Sequence, residues 1–167
     1  MPLSIVFVIT QRLSSTTGAV VTSSQFGEVM LEDVWSTQLL WAAGHMTSYP
    51  PTVIHVTDGE STDGDPSAVA QQIRAVATAD GPACLYNLHL SSTAAKPITF
   101  PASESELPDE FARLLFAMST PLQDRIRREA AAEGYAVSDG SRGFAFNADL
   151  VEAIRFIDIG TRVSGLR

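Results

Sequence analysis

Only one lysine, Lys96, and one cysteine, Cys84, occur among the 167 residues. With so little lysine, scattered arginines and a net charge of -8, the chain carries no basic footprint for a phosphodiester backbone, so nucleic acid is excluded as a partner. A lone cysteine builds no disulfide framework, and Cys84 sits in an apolar run, where it reads as a small buried hydrophobe rather than a reactive thiol. No stretch approaches the roughly 18 to 20 apolar residues that a membrane helix needs. Residues 4–10 are apolar but too short for a signal-peptide core, and they lack a basic lead. These absences make the cytoplasm the expected compartment and exclude a membrane partner. The chain also lacks a GxxxxGK[ST] phosphate loop and a GxSxG nucleophile elbow.

What is present is an ordinary globular composition, 45% hydrophobic and 18% charged, with neither an internal repeat nor a linker. One domain over 1–167 is the expectation. Its centre is the stretch Val53-Ile-His-Val-Thr-Asp-Gly-Glu-Ser-Thr-Asp-Gly-Asp-Pro66. Residues 53–56 are rich in β-branched residues and almost free of charge, as in a strand covered on both faces. The strand ends in Asp58, Glu60, Asp63 and Asp65, and Asp65-Pro66 reads as an N-cap followed by a proline at the first position of a helix over 67–79. In a parallel sheet, ligands collect at the carboxyl ends of the strands. The four carboxylates therefore mark the expected site, and their oxygens suit a hard cation.

The rest of the chain reads as alternating elements. Residues 3–10 form an apolar strand, 11–18 a Ser/Thr-rich turn and 19–22 a β-prone run. A helix over 27–44 carries Met30, Leu31, Val34, Trp35, Leu39 and Ala42 on one face, with Trp41 partly covering the core. After the 67–79 helix come a buried strand over 83–90 and a surface loop over 92–105. Pro108 opens a helix with Phe111, Leu114, Leu115 and Met118 inside. Leu122, Ile126 and Ala130 mark another, whose Arg125, Arg127 and Arg128 make a solvated face. Short strands are expected over 135–137 and 143–147. Asp149 caps a last helix over 150–157, and 159–162 is a tail segment. The fold class is α/β, with a mainly parallel sheet and helices on both faces. His55 and His89 lie within strands, where a histidine most often satisfies a local hydrogen bond. Asn87 and Ser91 share the His89 face and are candidates for lining the cleft.

Thr57-Asp58-Gly59 after an apolar strand resembles the third metal loop of the von Willebrand factor A (vWA) domain, and the run TDGESTDGDP is similar to a bacterial subgroup of that family. Leu85-Tyr-Asn-Leu-His-Leu-Ser-Ser92, the segment 107–119, Arg142-Gly-Phe-Ala-Phe-Asn-Ala-Asp149 and Asp158-Ile-Gly-Thr-Arg162 continue the likeness in order over 27–162. The resemblance implies a Rossmann-like sheet in which the Thr-Asp-Gly strand is central, flanked by the first strand and by the strand containing Asn87. It also implies a metal-ion-dependent adhesion site, where a divalent cation takes its last ligand from a protein partner. The family's first strand ends in Asp-x-Ser-x-Ser. Aligned strand ends place Thr10, Arg12 and Ser14 there, so only Ser14 matches. Its second loop has a Gly-x-Thr pattern, but Val29 stands at the threonine's place. The family also has a helix and two further strands between its first strand and the 27–44 helix. Here about sixteen residues separate Thr10 from Gly27. Residues 1–26 are thus an atypical strand and turn segment before a vWA-like region truncated at its N-terminal side.

The reading that follows is a noncatalytic vWA-like protein-interaction module with a degenerate adhesion site. Thr57, Asp58, Gly59, Glu60, Asp63, Asp65, Asn87 and Ser91 would form the partner-binding surface, and Asp58, with Ser14 weaker, would ligate magnesium that is held weakly or not at all. Two alternatives stay open: a magnesium-dependent phosphoester hydrolase using the Asp58/Glu60/Asp63/Asp65 loop, and a nonfunctional remnant of a longer vWA protein. Because residues 5–9 carry no charge, the first strand is expected at an apolar sheet edge, which favours a homodimer.

Overall fold

The computed structural model describes residues 4–12, 15–23, 28–58, 64–90 and 95–162. In chain order, the elements are β1 (Ser4–Arg12), β2 (Ser15–Ser23), α1 (Glu28–Gly44), β3 (Thr52–Thr57), α2 (Ser67–Ala75), β4 (Ala77–Thr78) and β5 (Gly81–Pro82). They continue as β6 (Cys84–His89), β7 (Ile98–Thr99), α3 (Glu110–Met118), α4 (Asp124–Ala132), β8 (Phe144–Phe146) and α5 (Leu150–Thr161). The main sheet has the order β2-β1-β3-β6-β8-β7. Within it, β3, β6 and β8 run parallel, β2 shares their direction, and β1 and β7 oppose them. This is an α/β fold with a mixed sheet in which most strands point one way.

Strand alternation sends successive side chains to opposite faces, and each face is buried under helices. Val53, Leu85 and Phe144 pack with Leu31 and Val34 of α1, Ile73 of α2 and Leu115 of α3. Ile54, Tyr86, Leu88 and Ala145 pack with Ile126 of α4 and with Phe156 and Ile159 of α5. The six residues of β6 are all buried, as a strand covered on both sides requires. No helix among the described residues is long and apolar enough to cross a membrane.

The central β3 does lie between the first strand and the Asn87-containing β6, but β1 runs antiparallel to it and β2 closes over β1. The expected apolar edge at residues 3–10 is therefore corrected: β1 is interior, and the edge falls on β2. An apolar run reads the same in either direction, so composition carried no signal of which way β1 runs; the turn expected over 11–18 is shorter, with strand through Arg12 and again from Ser15.

Other boundaries and short elements also differ. Helix α2 stops at Ala75, because Val76 turns extended and 77–78 pairs with 81–82 in a small hairpin in which Gly81 has a φ of 129°. The segment 159–162 is largely helix, with Ile159 buried. Asp109, not Pro108, caps α3, its carboxylate accepting from the Ala112 amide at 2.7 Å. Residues 135–137 form no strand, whereas Ile98–Thr99, expected in a loop, pairs with β8. Trp35 and Trp41 are both half-buried, and Trp41 stacks on His45 with ring centres 4.7 Å apart.

Along the inner stripe of α1, between Val34 and Ala42, stands Gln38, fully buried with neither amide atom hydrogen-bonded among the described residues. A buried amide without partners costs about 1 to 3 kcal/mol, and methionine fills a similar volume without that cost. Gln38→Met is thus expected to raise the urea midpoint, by about 1 kcal/mol in stability. A loss of stability instead would mean that the amide is satisfied within the fold.

Candidate functional site

Three chain segments meet at the carboxyl end of the parallel strands. From β3 come Thr57, buried, and Asp58, exposed; the Thr57 carbonyl accepts the Leu90 amide at 2.8 Å, which ties the exits of β3 and β6 together. From β6 comes His89, 7% exposed, its ring edge-on to Phe111 at 5.3 Å and tilted against Phe146 at 5.1 Å. From α3 comes its capping residue Asp109. Burial lowers the pKa of His89, while the charges of Asp109 and Asp58 pull it the other way. His89, on which the charges of both Asp109 and Asp58 act, is the electrostatic centre of this end. Asp65, exposed, accepts the Ser67 amide at 2.9 Å, and hydrogen bonding from the Ser67 side chain, then from that amide, lowers its pKa. Pro66, not Asp65, is the capping residue of α2. Gly59, Glu60, Asp63 and Ser91 lie outside the described residues, as does Ser14.

Asn87 does not belong to this surface. It is fully buried two residues before His89 on the strand, opposite His55 in the parallel register. Its amide nitrogen donates to Ser119 Oγ at 2.9 Å and to the Leu115 carbonyl at 3.2 Å. Ser119 Oγ in turn donates to the Leu115 carbonyl at 2.7 Å. With both amide hydrogens spent, Asn87 Oδ1 is left to accept from His55 Nδ1 at 2.9 Å, which fixes the ring tautomer. The cleft-lining role expected for Asn87 is corrected accordingly: its side chain bolts the sheet to the end of α3. Burial pushes His55 down to about 4, against the raising effect of the Asn87 bond, and the charge of His89 lowers it further. His55 thus makes the local hydrogen bond expected of a strand histidine.

The donors do not fit the three-loop cation site that the resemblance implies. Because β1 opposes β3, Ser4 is the residue beside Thr57. Arg12, eight positions further along β1, is about 26 Å away at roughly 3.3 Å per residue. Among the described residues, no group of three or more His, Cys, Asp or Glu side chains is placed to hold a metal ion. Asp109 and Ser119 were missed by sequence reasoning. For Asp109 the signal was available, as Pro-Asp immediately before an apolar helical run is a cap pattern.

No protein-family model, curated protein or solved structure matches this chain.

Proposed function

We propose that the chain is a noncatalytic protein-interaction module of the vWA type, which meets its partner through the polar end of β3 and β6. The observation that carries the reading is Asp58: an exposed carboxylate at the exit of the central, doubly covered strand, where α/β sheets place their ligands. Thr57 is the buried post beneath it, and Glu60, Asp63 and Asp65 extend the acidic loop. On this reading β1 stands in the place beside β3 that the family's first strand takes, but it runs the opposite way. The family's Asp-x-Ser-x-Ser ligands then have no counterpart beside Thr57 among the described residues, so magnesium contributes little or nothing and recognition rests on the carboxylates themselves. A second copy of the chain would add along β2.

The test is capture by the immobilised chain. A protein retained by the wild type and lost by Asp58→Arg, with no turnover of generic phosphoesters with or without magnesium, is the expected result. Turnover that Asp58→Ala abolishes would overturn it in favour of a hydrolase. Tight, stoichiometric magnesium binding by calorimetry, also lost in Asp58→Ala, would restore an intact adhesion site.

A further inference from the structure

At the opposite end of the sheet, where β6 and β8 begin, two arginines converge on the last turn of α3. Arg142 Nη1 donates to the carbonyls of Ala117 at 3.2 Å and Ser119 at 2.9 Å, and Arg74 Nη1, from the last turn of α2, reaches the same Ser119 oxygen at 3.5 Å. Arg142 is held further by the face of Phe116, its guanidinium carbon 5.3 Å from the ring centre. The ion pairs among the described residues belong to Arg125, Arg127, Arg155 and Arg162, and none to Arg74 or Arg142. Burial lowers the pKa of Arg74, and the charge of the nearby Arg142 lowers it further.

Capping a helix is the plain account of such arginines, and the charges decide against its being the whole account. A helix C-terminus presents about half a negative charge, which one cation satisfies. Two full positive charges therefore leave about one and a half uncompensated. Beside them an open depression of about 360 Å³ is lined by Gln71, Arg74, Ala83, Thr120 and the prolines 82 and 121. A guanidinium that spends one nitrogen on a carbonyl keeps further N–H groups in a rigid fork, suited to oxoanion recognition. A phosphate monoester carries about -1.5 to -2 near neutral pH, which matches the surplus where a carboxylate does not.

We propose that Arg74 and Arg142, which meet at the Ser119 carbonyl, form an anion site for a phosphate group, free or borne as a monoester, between their guanidinium groups beside the C-terminus of α3; the depression adjoins it on the Arg74 side alone. The site is independent of the Asp58 surface, since it lies at the other end of the strands.

Titration of the full-length chain with inorganic phosphate, by calorimetry at fixed ionic strength set with chloride, tests it. Saturable binding of one phosphate per chain is expected, at least tenfold tighter than acetate, and at least tenfold weaker in Arg74→Gln and in Arg142→Gln. Asp58→Arg should leave it unchanged, which separates this site from the partner surface. Should Arg142→Gln fail to fold, Arg74→Gln decides, because its longer bond to Ser119 is the more dispensable cap. Tighter binding of phosphoserine than of inorganic phosphate would support a monoester as the occupant, and equal binding the free ion. Acetate binding as tightly as phosphate, wild-type heats no different from the chloride control, or undiminished binding in Arg74→Gln would each overturn the proposal.

Discussion

Asn87→Leu is expected to destabilise the fold by about 3 kcal/mol, although leucine is apolar, of similar size and placed in a fully buried strand. The loss comes from the groups left behind. His55 Nδ1–H would have no acceptor at a position with no access to water, and Ser119 Oγ would lose its donor. Each orphaned buried group costs about 1 to 3 kcal/mol, which outweighs the gain from burying two more carbons. A double-mutant cycle separates this from a simple packing fault: with His55→Leu as the second substitution, the pair should be more stable than the sum of the two single losses predicts, by at least 1 kcal/mol. Urea midpoints that show strictly additive losses would remove the hydrogen bond from the account.

The same network shows where reading a sequence stops. A polar residue within an apolar strand announces that it must be satisfied, so Asn87 and His55 were each visible as problems. Their solution was not, because it depends on register: pairing Val53 with Leu85 brings His55 opposite Asn87, and a slip of one residue would set them on opposite faces. Ser119 enters only once α3 is docked. The central strand, its neighbours and the helices around them were legible because β-branched runs and helical stripes are written locally. The ends of elements were not. Val76 is buried and fits the stripe of α2, yet its backbone is extended. Gly160 falls in the segment expected as a tail, but it is a helical residue against the Tyr86 ring, where an added Cβ would come within 2.7 Å. Gly143 is more constrained still, with the same ring 1.9 Å from a Cβ. These glycines are required by an aromatic ring distant in sequence.

The candidate site divides on the same line. Thr57 and Asp58 were placed correctly at the exit of a central strand, because a run of apolar residues ending in carboxylates defines that exit by itself. The neighbours that complete the electrostatics, His89 and Asp109, come from two other elements and are assembled only by the fold.

Mild acid should weaken the protein through His55. Its ordinary pKa is 6.5, and burial holds it down to about 4 in the folded state, with His89 adding repulsion and Asn87 Oδ1 the only counterweight. Between those two values the unfolded chain takes up a proton that the folded chain refuses, so folding stability rises with pH across that window and falls as pH drops. Above pH 6.5 both states are neutral and the effect vanishes. Below pH 4 both are charged and the loss is complete, at about 3 kcal/mol by the linkage of 1.36 kcal/mol per unit, with about 2 kcal/mol of it already gone at pH 5. His89, lowered in the same direction, adds to the slope. The comparison that isolates His55 is unfolding of wild type and His55→Gln at pH 7 and pH 5. Glutamine can still donate to Asn87 but does not titrate, so the variant should start lower at pH 7 and lose about 2 kcal/mol less on acidification. Equal losses in the two proteins would place the acid sensitivity elsewhere, in His89 or the surface carboxylates, and would show that the His55 pocket tolerates the charge.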